Sequence, residues 1–252
     1  MLTTLASEPT VQQSPPSVES LRVKIFADGA NLAGMLDLYR DPRISGFTTN
    51  PTLMRAAGVT DYRAFAHEVI AAIPDRSISF EVFSDELPEM ERQAREIASW
   101  GEAVYVKIPV TNTRGESTGP VIKALSQAGV KVNVTALMTL EQVHDVAGNL
   151  TGGAPSYISV FAGRVADTGR DPVPMMAAAV EALRPLPQCE LIWASPRELL
   201  NVFQADQIGC HIITVTHDVL KKLALVGKNL DGYSLETVQM FRNDAVAAGF
   251  TL

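Results

Sequence analysis

The chain has 252 residues, is 46% hydrophobic and carries a formal net charge of −7. That is enough apolar material for one sizeable core. The acidic balance argues against an extended nucleic-acid surface, which needs clustered Lys and Arg. No apolar run reaches the ~18–20 residues that span a bilayer. Cys189 and Cys210 stand far apart and in no metal-ligand spacing, so they read as free, buried thiols of a cytoplasmic protein.

Residues 1–20, rich in Ser, Pro and Gln, lack both the basic region and the apolar run of a signal peptide. They are expected to form a mobile tail ahead of one domain spanning residues 21–252. From Leu21 onward, short apolar runs alternate with amphipathic segments. The candidate strands are 23–28, 46–50, 78–83, 103–110, 131–137, 157–163, 191–195 and 211–216. Helical patterns cover 85–100, 119–129 (closed by Gly129), 139–150 (opened by Thr139), 195–209, 217–227 and 234–249. Strand–helix alternation of this kind predicts a single α/β domain, a (β/α)8 TIM barrel with an extra C-terminal helix. An open doubly wound sheet is the weaker alternative, because no strand is followed by a glycine-rich dinucleotide loop.

In a parallel barrel the chemistry sits at the C-terminal ends of the strands. Those positions here are polar: Asp28; Thr48, Thr49 and Asn50; Glu81; Lys107; Asn133 and Thr135; Ser159 and Arg164; Ser195 and Arg197. Lys107 stands out, because it interrupts the otherwise apolar strand "AVYVKIPVT" (103–111). A buried ammonium is costly. Two readings follow. The amine sits in a desolvated site near arginines, loses its proton readily and attacks carbonyls as a Schiff-base nucleophile. Alternatively it forms a structural ion pair with Glu81 or Asp28. The two threonines of the second strand read as turn and cap residues. His67, His144, His211 and His217 show no metal-binding spacing, and no metal is expected.

The ordered segments "GFTTNPTLM", "SFEV", "VYVKIPVT", "VNVTAL", "ISVFAGR" and "ASPRELLNV" resemble the transaldolase family of class I aldolases over residues 23–226. The resemblance implies a cofactor-free transaldolase that moves a dihydroxyacetone unit between sugar phosphates through a Schiff base on Lys107. It assigns C4-hydroxyl proton transfer to Asp28, and a catalytic water to Glu81 and Thr135. Asn50, Asn133 and Ser159 would contact the substrate near the Schiff base, and Arg164, Ser195 and Arg197 would bind phosphate. A homo-oligomer with sugar-phosphate substrates is implied as well. Phe161 together with Glu81 resembles the transferase branch rather than the fructose-6-phosphate aldolase branch, which stays the alternative activity. A sugar-phosphate-binding protein without catalysis is the non-enzyme alternative. "FADGAN" and "WASPR" depart from the usual pattern, and a bulky Trp193 near the pocket would change its shape.

Overall fold

The computed structural model describes residues 17–252. The expected tail over residues 1–20 falls mostly outside them; Val18–Ser20 forms one turn of 3-10 helix. The barrel unit runs from Leu21 to Lys221. In chain order it comprises β1 (Lys24–Asp28), α1 (Leu32–Tyr39), β2 (Ile44–Thr48), α2 (Pro51–Ala56), α3 (Tyr62–Ala72), β3 (Ser77–Glu81) and α4 (Leu87–Ala98). It continues with β4 (Val104–Pro109), α5 (Gly119–Gln127), β5 (Val132–Leu137), α6 (Leu140–Leu150), β6 (Ser156–Val160), α7 (Ala162–Ala166) and α8 (Val173–Leu183). β7 (Cys189–Trp193), α9 (Leu200–Gln207), β8 (Ile212–Thr216) and α10 (His217–Leu220) complete it. The eight strands pair in parallel in sequence order, and β1 pairs with β8 to close the barrel.

Local sequence explains the boundaries. Thr139 caps α6, accepting from Gln142 N while the Gln142 side chain accepts from Thr139 N, a reciprocal capping box. Gly129 follows α5 at φ +85°, a left-handed conformation that favours glycine at a helix end. Helix α9 starts at Leu200, not at Ser195 as the Ser-Pro signal suggests. Ser195 has φ +60°, which cannot begin a right-handed helix, and the Asn201 side chain instead accepts from the backbone N–H groups of Arg197 and Glu198. Residues 46–50 and 157–163 stop being strand early: β2 ends at Thr48 because Asn50 caps α2, and β6 ends at Val160 because Phe161 precedes α7.

Alternation along each strand divides the side chains between two layers. Phe26, Tyr157, Ile192, Ala194 and Ile212 form a cluster, with Tyr105 and Phe161 packed against it. Phe26 meets Tyr157 edge-on and Tyr105 stacks on Tyr157 at 3.9 Å between ring centroids, which fills the barrel below the site. The intervening residues Val106, Ile108, Val134, Ile158, Leu191 and Trp193 are buried on the opposite parity, the one that faces the helices. Cys189 and Cys210 are buried free thiols, pushed up to about 11 and about 12 by burial.

Lys222–Leu252 belongs to a second compact unit. It contains α11 (Leu230–Ala247), capped by Asn229 through its bond from Gly232 N and longer than the expected 234–249 pattern at its start. Among the described residues, no helix is long and apolar enough to cross a membrane.

Candidate active site

A cavity of about 440 Å³ is lined by residues at and just beyond the C-terminal ends of the strands. All ten residues to which the resemblance gives a role line it. Asp28, Glu81, Lys107 and Thr135 come from β1, β3, β4 and β5, while Asn50, Asn133 and Ser159 come from the α2 cap, β5 and β6. Arg164 lies in α7, and Ser195 and Arg197 follow β7.

Lys107 is 7% exposed. Strand pairing sets Glu81 beside it on one side and Asn133 on the other. Its Nζ donates to the Thr49 carbonyl at 2.6 Å and lies 3.3 Å from Glu81 Oε2. The charged partner of the amine is therefore a carboxylate rather than the arginine neighbour anticipated, so the ion-paired arrangement is present in the same place as the expected nucleophile. The other Glu81 oxygen, Oε1, accepts from Thr135 Oγ1 at 3.3 Å. Amine, carboxylate and hydroxyl thus form one chain across three neighbouring strands.

Asp28 is half-buried, and the desolvation it meets there raises its pKa above the ordinary carboxylate value. The nearby Lys107 charge and a hydrogen bond from Thr48 Oγ1 (2.9 Å to Oδ1) pull the other way, and burial outweighs them. Thr48 also bonds Thr214, a cavity-lining residue of β8. Thr48 therefore serves the site, not only the turn expected of it. Thr49 keeps a backbone role, with its hydroxyl donating to Ser79 O.

Asn133 is fully buried; its Nδ2 donates to Ser79 Oγ at 3.1 Å and its Oδ1 accepts from Ser159 Oγ at 2.7 Å. Asn50 uses one lone pair of Oδ1 to cap α2 through Leu53 N, and its amide nitrogen can still donate to a ligand. After Thr135 the β5–β6 register slips, and Ala136 adopts φ +66°, which brings both Thr135 and Ala136 to the cavity wall.

Two arginines stand at the mouth. The Arg164 guanidinium lies 5.7 Å from the centre of the Phe161 ring. Arg197 gives Nε (2.9 Å) and Nη2 (2.5 Å) to the two oxygens of Asp167, a partner the sequence reading did not single out. The N–H groups of Arg197 and Glu198 both donate to the Asn201 side chain. Trp193 is fully buried and is not among the cavity-lining residues; its neighbours in sequence, Ile192 and Ala194, occupy the barrel side. The expected effect of its bulk on the pocket is overturned by strand parity.

None of the four histidines lines the cavity, and among the described residues no group of three or more His, Cys, Asp or Glu is placed to hold a metal ion. The arrangement gathers a buried amine, two carboxylates and two guanidinium groups on one cavity. It can attack a carbonyl, move protons and pair with an anion on the same ligand.

The sequence profile described as Transaldolase/Fructose-6-phosphate aldolase matches residues 25–251. A protein named "Probable transaldolase" from Dehalococcoides mccartyi is 35% identical over 202 residues, 80% of this chain and 90% of that one. Another of the same name, from Caldicellulosiruptor saccharolyticus, is 34% identical over 203 residues, covering 80% and 89%. Among solved structures, a HpcH/Hpal aldolase/citrate lyase family protein from Burkholderia cenocepacia J2315 aligns with a TM-score of 0.58 at 15% identity, covering 88% of this chain and 95% of that one. A 2,3-dimethylmalate lyase aligns with a TM-score of 0.51 at 15% identity, covering 92% and 86%. Likeness at that identity shows the barrel fold alone. By profile and by relatives, the chain belongs to the Transaldolase/Fructose-6-phosphate aldolase family, whose general chemistry is of the class I aldolase type on sugar phosphates.

Proposed function

We propose that the protein is a transaldolase carrying a dihydroxyacetone unit from a ketose phosphate to an aldose phosphate. The observation that supports this most directly is the Lys107 amine, buried in the cavity and 3.3 Å from Glu81. The Lys107 ammonium first passes its proton to Glu81. The free amine then adds to the C2 carbonyl of the donor. Thr135 and a water relay one proton from the nitrogen to the C2 oxygen, Glu81 gives that oxygen a second, and it leaves as water, giving a protonated Schiff base.

The ionised Asp28 carboxylate takes the C4-hydroxyl proton. The C3–C4 bond breaks, its electron pair enters the iminium as an enamine, and an aldose phosphate departs. The enamine then adds through C3 to an acceptor aldehyde, and Asp28 returns the proton to the new alkoxide. Addition of water at C2 releases the product ketose and regenerates Lys107. A raised pKa suits Asp28 to both halves of this exchange, since a group that takes and returns a proton works best near the ambient pH. Arg164 and Arg197 would pair with phosphate through charge-assisted hydrogen bonds. The iminium itself withdraws the electrons, so the scheme uses no cofactor. The residue pair Phe161 and Glu81, which resembles the transferase branch, supports transfer over release of free dihydroxyacetone.

The test is incubation with fructose 6-phosphate and borohydride, followed by peptide mass spectrometry. A reduced three-carbon or ketose-sized adduct on Lys107 is expected, and an unmodified Lys107 would overturn the covalent mechanism. Turnover with and without an acceptor aldehyde separates the two activities. A transferase stalls without acceptor, whereas steady release of dihydroxyacetone would identify an aldolase.

A further inference from the structure

The β2–β3 ladder ends two residue pairs too early to hold Glu81. The last matched pair is Thr48 with Ser79, and Thr49 N reaches back to Ser79 O before the chain turns into α2. On its other side Glu81 pairs with Lys107 of β4, and the following Val82 N donates to Lys107 O. The N–H and C=O of Glu81 that face β2 consequently have no strand partner. Tyr62, the first residue of α3, fills the gap. Its hydroxyl accepts from Glu81 N at 2.7 Å and donates to Glu81 O at 2.8 Å. A hydroxyl can serve a donor and an acceptor through one atom in this way.

The phenol is itself held in place. Its ring meets Phe80, Phe83 and Trp100 at 6.3, 5.5 and 6.0 Å between centroids. Burial raises the Tyr62 pKa, so the hydroxyl keeps the proton it donates. Tyr62 does not line the active-site cavity. It acts on the backbone of the one residue whose carboxylate contacts both Lys107 and Thr135.

We infer that Tyr62 is a positioning residue for Glu81, a side-chain substitute for the missing strand partner that fixes where the carboxylate meets the Lys107 amine. The inference rests on the role proposed above for Glu81. A carboxylate displaced by a fraction of an ångström loses its alignment for proton transfer, and misplacement of about 1 Å can cost on the order of 100-fold in rate.

The test is a double-mutant cycle with Tyr62→Phe and Glu81→Gln, reading kcat, KM and the pH profile of kcat. Tyr62→Phe keeps the ring packing and removes only the hydroxyl. It is expected to lower kcat about tenfold or more, to leave KM within about twofold, and to shift the acidic limb of the profile. In the Glu81→Gln background the same substitution should add little further loss. Full additivity of the two losses, or an unchanged kcat in Tyr62→Phe, would overturn the inference. If Glu81→Gln alone leaves kcat unchanged, the role of Glu81 fails first and the inference falls with it. Phe83→Leu loosens the aromatic cluster while keeping the Tyr62 hydroxyl, and it should retain most of the wild-type kcat even where thermal stability falls. A drop in kcat equal to that of Tyr62→Phe would assign the effect to packing and overturn the inference.

Discussion

Gly163 and Ser195 touch backbone to backbone: a β-carbon built on Gly163 would stand 1.6 Å from the Ser195 carbonyl oxygen. That contact joins the short helix bearing Arg164 to the left-handed turn that precedes Arg197. The two guanidinium groups are therefore spaced by a backbone approach that only glycine permits. Gly163→Ala must push the segments apart. A destabilisation of about 1–3 kcal/mol is expected from overpacking, visible in denaturant unfolding. KM for phosphorylated donors should rise more than kcat falls, because Lys107 and Glu81 are untouched. A variant with unchanged KM would show that the spacing of the arginines is not what the glycine secures.

Asp28 sets activity against stability. Its pKa is raised in the folded protein, so between the ordinary value of about 3.9 and the raised value the native state holds the proton more tightly than the unfolded chain. Stability contributed by this group is present below that window and declines as pH rises through it. Asp28→Asn keeps an acceptor for Thr48 and removes the buried charge. It should melt higher than the parent at neutral pH, with the difference shrinking as pH falls below the window. The same variant should lose about 10²–10⁴-fold in kcat, as expected for removal of a general acid–base group. In the parent, kcat/KM should fall as pH drops through a pKa above the usual aspartate value. A variant that is no more stable at neutral pH would show that attraction to Lys107 outweighs the burial cost.

The barrel was legible because its strands are short apolar runs bounded by turn residues, and because polar residues recur where those runs end. Lys107 announced itself as a charge inside such a run, and parity alone put Asn133 and Thr135 on one face. What stayed hidden depends on three-dimensional neighbours. Helices α1, α2 and α7 are short, at 8, 6 and 5 residues, and too brief to show a periodicity. The Ala-rich α8 was also not picked out, although it buries Met176, Ala179 and Leu183. Thr214 lies on a strand whose inward face could have been counted from its parity, but Tyr62 and Asp167 carry no local signal. One completes a strand edge 19 residues away and the other meets an arginine 30 residues away. The late start of α9 follows from the backbone at Ser195, which a Ser-Pro pair does not reveal.

Arg197 and Arg164 should differ in their contribution to phosphate binding. Asp167 holds two nitrogens of Arg197, but the side chains are 46% and 52% exposed, and an ion pair in that setting is worth about 0–1 kcal/mol. It orients Arg197 at small cost to a competing dianion. Asp167→Ala should therefore change KM for a phosphorylated donor by less than about fivefold, in keeping with that energy. Arg164→Ala removes a charge that stands against the Phe161 ring and near Asp167, and KM should rise about 10- to 100-fold, the usual range for a charge-assisted hydrogen bond of roughly 1.5–3 kcal/mol. Steady-state kinetics on fructose 6-phosphate and on its unphosphorylated counterpart separates these effects. Equal effects of both substitutions would mean that Asp167 holds the anion site together.

Trp193 provides the converse case, a large residue next to site residues in sequence and outside the site in space. It is fully buried, and its indole Nε1 has no hydrogen-bond partner among the described residues. Trp193→Phe removes that unsatisfied donor and leaves part of its volume empty. The first change favours folding by about 1–3 kcal/mol, while loss of a large buried aromatic volume costs up to about 3–5 kcal/mol when truncation is complete. Phenylalanine refills much of the space, so the net change in unfolding free energy should stay within about 2 kcal/mol of the parent. Because strand parity turns this side chain away from the cavity, kcat and KM for phosphorylated donors should remain within about twofold of the parent values, less than 0.5 kcal/mol in either term. A tenfold change in KM with unchanged stability would place the indole in contact with the substrate and contradict the facing of β7.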